Sequence, residues 1–128
     1  MQRPSWNTLR QSWADLFFFE PLSEFLTRLH EDRGGEVVAV VMFSPEGGEI
    51  PPPAPPVHLL VLYQETVDFL KETQFLREHD PSGILNFFCY SLPDFQKMYK
   101  GSNPIAHQAV KTGLILFETD NRMEEFVS

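Results

Sequence analysis

Two apolar runs separated by a short loop constrain the fold of this chain more than any other feature. Residues 37–43 read VVAVVMF and residues 57–63 read VHLLVLY, and both are rich in the β-branched and aromatic residues that favour strands. Neither run alternates strictly between apolar and polar side chains, which is typical of strands covered on both faces. The stretch 37–63 is therefore predicted to form a strand, a loop and a second strand at the centre of a sheet flanked by helices.

The residues before this stretch have helical spacing. The pattern over 5–33 predicts an N-terminal helical segment with Ser5 as its cap. Pro21 is expected to break or bend the segment, because proline lacks the N–H that a helix interior uses. Gly34 and Gly35 are expected to end it and release the chain into the first strand.

The aromatic residues of this segment allow two interpretations. Phe17, Phe18 and Phe19 together cover more of the helix circumference than one buried stripe requires. All three could belong to a wide core. Alternatively, one or two of them, together with Trp13, form an interface with a protein partner or a second copy, because large apolar patches seldom stay exposed.

Downstream of residue 63 the pattern alternates between helices and short strands. It predicts a helix over 66–79 capped by Thr66, a strand over 84–90, a helix from the cap Ser91 to about residue 100, a helix from the cap Asn103 to Gly113, and a strand over 114–117. The last ten residues, 119–128, are polar and are predicted to be a frayed tail. This order predicts a single domain over 1–128, of the α/β (α+β) class, with a small mixed sheet of about four strands.

Charge and cysteine content exclude several classes of protein. Lys and Arg number 10 and Asp and Glu 18, which gives a formal net charge of −8 and argues against binding to a nucleic-acid backbone. Cys89 is the single cysteine, so no intramolecular disulfide forms and a reducing compartment is indicated. No apolar run approaches the roughly 20 residues of a membrane helix, and residues 1–4 lack the apolar segment of a secretion signal. The expectation is a cytoplasmic protein.

The order and spacing resemble those of the minimal nucleotidyltransferases, the small relatives of DNA polymerase β and kanamycin nucleotidyltransferase. In that family a helix leads into a strand ending in Gly-Ser, and ten residues then precede Asp-x-Asp on the next strand. Here Ser44-Pro45 follows the first strand, residues 46–55 form the ten-residue spacer, and Pro56-Val57-His58 stands where Asp-x-Asp is expected. The strand at 84–90 and the elements at 91–117 resemble the C-terminal half of the family's domain. With 84–118 included, the resemblance covers residues 24–118.

The family's chemistry explains why its signature residues matter. Transfer of a nucleotidyl group requires metal ions on the phosphates, and Mg²⁺ prefers carboxylate oxygens. By resemblance, the chemical positions of this chain are Ser44, Pro45, Pro56, His58 and Asn86. None of these five carries a carboxylate, and proline offers no N–H to a phosphate. The resemblance therefore implies a scaffold without its metal ligands, for which no cofactor is expected.

Three functions follow. The first is an interaction or regulatory module, because the family often occurs in toxin–antitoxin pairs with an all-helical HEPN partner; this implies an antitoxin-like protein that binds a partner or itself. The second is a divergent nucleotidyltransferase that transfers a nucleotide from a triphosphate, with Mg²⁺ held by Glu46, Glu49 and His58. The third is a nucleotide sensor that binds without turnover. We rank the first above the other two, and leave open whether the protein is an enzyme.

The loop and one later helix contain weaker signals. Gly47 and Gly48 could cradle a phosphate through their backbone N–H groups, although a plain turn is the more frequent role of such a pair. The proline-rich stretch 51–56 is predicted to be a stiff polyproline II segment that closes the loop. His107 and Lys111 lie one helical turn apart and could face a ligand, or lie on a solvated face.

Overall fold

The computed structural model describes residues 1–128 and shows five α-helices, four strands and a short 3₁₀ helix. In chain order these are α1 (Trp6–Trp13), α2 (Phe19–Arg33), β1 (Val37–Phe43), β2 (Val57–Tyr63), α3 (Phe69–Glu78), β3 (Leu85–Ser91), α4 (Leu92–Lys100), α5 (Pro104–Thr112), β4 (Leu114–Glu118) and the 3₁₀ helix (Glu124–Phe126). The predicted strand, loop and strand over 37–63 is confirmed. No helix is long and apolar enough to span a membrane.

The four strands form one mixed sheet in the order β3-β2-β1-β4. β1 is antiparallel to both β2 and β4, whereas β2 and β3 are parallel. The predicted α/β class with a small mixed sheet is therefore confirmed. Because β1 ends where the antiparallel β2 and its parallel neighbour β3 begin, the end of β1 and the starts of β2 and β3 lie at one edge of the sheet.

Helices cover both faces of the sheet, which explains the uninterrupted apolar runs of β1 and β2. Every residue of β1 is buried, and in β2 only His58 is partly exposed. One face packs against α1, α2 and α3. The other packs against α4, α5 and the C-terminal residues.

The N-terminal segment is two helices and not one bent helix. α1 ends at Trp13, the chain turns over 14–18, and α2 begins at Phe19. Pro21 does not break α2, because it lies in the first turn, where the N–H groups have no partner within the helix. The turn allows the rings of Trp13 and Phe18 to meet edge to face at 5.2 Å in the core. Ser5 precedes α1 without a side-chain cap.

The helix predicted over 66–79 is shorter than expected at its start. Asp68 and not Thr66 is its cap: the Asp68 carboxylate accepts a hydrogen bond from the N–H of Lys71 at 3.1 Å. Leu70 and Leu76 lie on different sides of the helix: Leu70 faces solvent and is 78 % exposed, whereas Leu76 is fully buried.

The caps predicted for α4 and α5 are confirmed. The hydroxyl of Ser91 accepts a hydrogen bond from the N–H of Asp94 at 3.1 Å, and the side chain of Asn103 accepts one from Ala106 at 3.2 Å. A turn forms before β3, where the Asp80 carboxylate accepts hydrogen bonds from the N–H of Leu85 and the hydroxyl of Ser82.

The C-terminal residues are ordered against the sheet, and the prediction of a frayed tail over 119–128 is wrong. Met123 is fully buried and Phe126 is 6 % exposed, with the Phe126 ring edge to face with Phe95 of α4 at 5.2 Å. Arg3 forms ion pairs with Glu118 and Glu124 and so holds the start of this segment. The two apolar side chains were too few to give a sequence pattern.

Candidate functional site

The five positions to which the resemblance points lie at the sheet edge where β1 ends and β2 and β3 begin. Phe43 pairs with His58 across the antiparallel strands, and His58 pairs with Asn86 across the parallel ones. Ser44 directly follows β1, and Pro56 directly precedes β2. The fold therefore brings together at this edge residues that are far apart in the sequence.

His58 and Asn86 form a hydrogen bond with each other. The Asn86 amide donates from Nδ2 to Nδ1 of His58 over 3.1 Å. The imidazole packs beside the rings of Phe43 and Phe88, whose centroids lie 6.5 and 6.0 Å away from it. Burial lowers the pKa of His58, and the negative charge of Glu46 opposes this only in part. Since Nδ1 accepts a hydrogen bond, the neutral ring carries its proton on Nε2.

The N–H groups of the loop after β1 already donate hydrogen bonds within the protein. The Ser44 hydroxyl accepts a hydrogen bond from the N–H of Gly48 at 2.6 Å, and the Ser44 carbonyl accepts one from Gly47 at 3.2 Å. The N–H of Ser44 itself donates to the Thr112 hydroxyl of α5 at 2.9 Å. Gly47 has a φ of +78°, which suits glycine. A phosphate bound here would have to displace these hydrogen bonds, so the geometry is that of a closed turn.

The acidic residues of the loop do not assemble a metal centre. Glu46 and Glu49 are exposed, and nowhere in the chain do three His, Cys, Asp or Glu side chains form a group that could hold a metal ion. The starts of β2 and β3 offer the neutral side chains of His58 and Asn86. The side chain of Pro56 has no atom that could bind a metal ion. Mg²⁺ prefers anionic oxygen ligands in octahedral geometry, and this set of donors does not fit it.

The proline-rich end of the loop is not a continuous polyproline II segment. The chain bends at residues 50–51 and 53–55, and the Ile50–Pro51 and Pro55–Pro56 peptide bonds are cis. Prolines 53, 55 and 56 are exposed. Because of these bends, the predicted stiff polyproline II segment over 51–56 is wrong.

His107 contacts a neighbouring helix and not a site shared with Lys111. Its Nε2 lies 2.7 Å from the Tyr99 carbonyl of α4, and the two rings are 4.5 Å apart. Lys111 is exposed and forms no ion pair. His107 therefore contributes to the contact between α4 and α5, whereas Lys111 faces solvent.

The aromatic N-terminal residues divide between core and surface. Trp13 is 5 % exposed and Phe18 is fully buried, so both lie in the core. Phe19 is half-buried and stacks on Trp6 with a centroid distance of 6.0 Å. Phe17 is 42 % exposed. Of the four residues considered for an interface, Phe17 therefore offers the most surface to a partner.

Sequence reasoning missed two further exposed apolar groups. Leu16 is 38 % exposed beside Phe17, and Phe69 is 42 % exposed beside Leu70 at the start of α3. One signal was available for the first group: the sequence contains no Lys or Arg between Arg10 and Arg28. The charged residues near Leu16 and Phe17 in the sequence are therefore all acidic, namely Asp15, Glu20 and Glu24.

Comparison with known proteins shows similarity at the level of structure. No family model matches the chain, and no curated protein matches it. A chain of a mutant of the toxin–antitoxin complex MntA–HpeT is 16% identical and has a TM-score of 0.51, covering 79% of this chain and 76% of its own. A chain of the toxin–antitoxin complex MntA–HepT is 15% identical, with a TM-score of 0.49 and coverages of 79% and 74%.

A third similar structure is that of a tri-AMPylated HEPN toxin from Shewanella oneidensis in complex with its MNT antitoxin. The matching chain is 14% identical, with a TM-score of 0.48 and coverages of 83% of this chain and 79% of that chain. At such identities a likeness concerns the backbone and not the side chains. The likeness with a TM-score of 0.51 shows that the chain has a nucleotidyltransferase-like fold, a four-stranded mixed sheet covered by helices on both faces.

Proposed function

We propose that this chain is a nucleotidyltransferase-fold protein without metal-dependent catalysis that acts as an interaction module, in the manner of an antitoxin, by binding a protein partner. The observation that carries the proposal is the hydrogen bond between His58 and Asn86. By resemblance, these two positions correspond to carboxylates that hold the metal. Here they form a neutral pair and satisfy each other.

The loop geometry supports the same conclusion independently. Ser44 accepts hydrogen bonds from the N–H groups of both Gly47 and Gly48, and Pro45 has no N–H. A triphosphate would therefore meet neither free backbone donors from this pair nor a metal held by carboxylates. Catalysis of nucleotidyl transfer rests on neutralising and aligning the phosphates, and these residues supply neither.

The fold supports the proposal of a protein partner. The similar chain with a TM-score of 0.51 comes from a toxin–antitoxin complex, and the family resemblance points to an all-helical HEPN protein. The exposed Phe17 and Leu16 provide apolar surface on which a protein could bind. Self-association into a homodimer is the other form that such an interaction could take.

Calorimetry with ATP, with and without Mg²⁺, tests the proposal. We expect no Mg²⁺-dependent heat of binding for the native chain or for the double variant Glu46→Gln, Glu49→Gln. Mg²⁺-dependent binding that the double variant abolishes would instead identify a divergent nucleotidyltransferase. Binding of ATP that is indifferent to Mg²⁺ and yields no product would identify a nucleotide sensor.

A further inference from the structure

We propose that an acidic, apolar patch formed by Asp15, Leu16, Phe17, Glu20 and Glu24 is the docking site for a basic amphipathic segment of the partner protein. This inference rests on the proposed function, namely that the chain acts through protein contacts. It adds the surface that makes the contact and the chemistry of the segment that fits it.

The apolar part of the patch is held in place by the core. Leu16 and Phe17 are 38 % and 42 % exposed, and the Phe17 ring meets the fully buried Phe18 edge to face at 5.3 Å. The backbone of the turn is fixed by a hydrogen bond from the N–H of Leu16 to the Trp13 carbonyl at 2.9 Å and one from Phe19 to Leu16 at 3.1 Å. The two exposed side chains are thus presented on a rigid turn, which lowers the entropy cost of binding.

The patch faces a groove large enough to accept side chains. The groove has a volume of about 430 Å³ and lies between the turn before α2 and the Asp80-Pro81-Ser82 turn before β3. The carboxylate of Asp80 is buried and engaged by Leu85 and Ser82. It forms part of the wall and is not free to bind a ligand.

The free charges around the groove are all negative. Asp15, Glu20 and Glu24 are exposed, and none of them forms an ion pair. Glu20 and Glu24 lie one turn apart on α2, a spacing at which like charges repel. Arg28, one turn further along, is not paired with Glu24. A cation from a partner would relieve this repulsion, while an apolar side chain beside it would cover Leu16 and Phe17.

The negative charge of the patch also distinguishes between the molecules that could bind to it. Nucleic acids and anionic membrane surfaces are negative and would be repelled. A two-fold dimer through this patch would place the same acidic residues against one another. A protein segment with Lys or Arg on both sides of an apolar stripe complements both the charge and the apolar surface.

The test is an NMR titration of the isotope-labelled full chain with a synthetic amphipathic helix of Leu and Lys, about 18 residues or five turns long. We expect chemical-shift changes centred on residues 14–24 and 80–82. A helix of the same pattern with Glu in place of Lys should not bind. Phe17→Ser, and separately the double variant Glu20→Gln, Glu24→Gln, should each weaken binding about tenfold or more.

Phe69→Ser is the matched control, because Phe69 is exposed to the same extent as Phe17 but lies beside Lys71 and Asp68, whose charges are mixed. Thermal melts of both serine variants establish that they fold. Shifts centred on Phe69 and Leu70, with binding lost in Phe69→Ser, would overturn the patch but leave the interaction module standing. No binding of the Lys helix, or equal binding of the Glu helix, would also overturn the patch. The ATP calorimetry tests the proposed function separately.

Discussion

Asn86 and His58 sit opposite each other on two parallel strands, and the amide of Asn86 donates to Nδ1 of His58 over 3.1 Å. The acceptor is available only while the imidazole is neutral. Partial burial beside Phe43 and Phe88 favours the same neutral form. The sheet edge at the starts of β2 and β3 therefore carries an uncharged contact.

This contact predicts a pH dependence of stability. In the native chain the pKa of His58 lies below the ordinary value of 6.5. Between these two values the unfolded chain therefore binds a proton that the native chain does not, and the free energy of unfolding rises with pH. We expect His58 to contribute its full stability above pH 6.5 and to lose it as the pH falls from there to the native pKa.

Urea unfolding of the native chain and of His58→Gln across this range measures the effect. The difference in free energy of unfolding between the two proteins should shrink on acidification, because the substituted chain lacks the group that titrates. A difference that stays constant with pH would contradict the assignment.

Carboxylates introduced at the starts of β2 and β3 should create a metal-binding site. In the triple variant Pro56→Asp, His58→Asp, Asn86→Asp, three anionic side chains meet at the edge where β2 and β3 begin, and such ligands suit Mg²⁺ and Mn²⁺. We expect Mn²⁺ to bind the triple variant about tenfold or more tightly than the native chain, measured by the loss of the free-ion signal in electron paramagnetic resonance. Mn²⁺ binding of equal strength by the native chain would count against the proposed loss of the site.

The caps of α4 and α5 should each contribute about 1 kcal/mol to the free energy of unfolding. Ser91→Ala and Asn103→Ala each remove an acceptor for a helix N–H. Ser5→Ala is the matched control, because Ser5 occupies a cap position without a side-chain hydrogen bond. Chemical denaturation should show little change for Ser5→Ala; a loss as large as that of the other two would mean that the cap bonds are not the cause.

The C-terminal residues should be part of the cooperative fold. Phe126 is 6 % exposed and contacts Phe95 and Tyr99, so Phe126→Ala is expected to lower the free energy of unfolding by about 3 kcal/mol. Leu70→Ala, at a side chain that is 78 % exposed, should change it by less than about 0.5 kcal/mol. Equal, small effects in urea unfolding would indicate that the end of the chain is frayed after all.

The features that could be predicted from the sequence are those with local causes. The strands at 37–43 and 57–63 follow from β-branched runs bounded by Gly and Pro, and the caps at Ser91 and Asn103 follow from a side chain that bonds to a backbone three residues away. The mixed four-stranded sheet follows from the order of these elements. Each of these signals is complete within a short window of sequence.

The features that were missed depend on tertiary contacts. The break before α2 places both Trp13 and Phe18 in the core, where their rings contact each other. The sequence after residue 118 is mostly polar, yet Met123 and Phe126 within it are buried. In the candidate site, the sequence identified which positions lack carboxylates. It could not show that His58 and Asn86 bond to each other, because that contact depends on the register of two strands 28 residues apart.

Cys89 lies on the face of β3 beneath α3, where the hydroxyl of Thr73 donates to its sulfur over 3.8 Å. It is the chain's one thiol, and burial raises its pKa to about 12. Since only the thiolate attacks alkylating and oxidising reagents, the sulfur stays unreactive while α3 remains docked. The chain thus carries an internal reporter of its own opening: the rate at which Cys89 becomes labelled measures how often α3 detaches from the sheet.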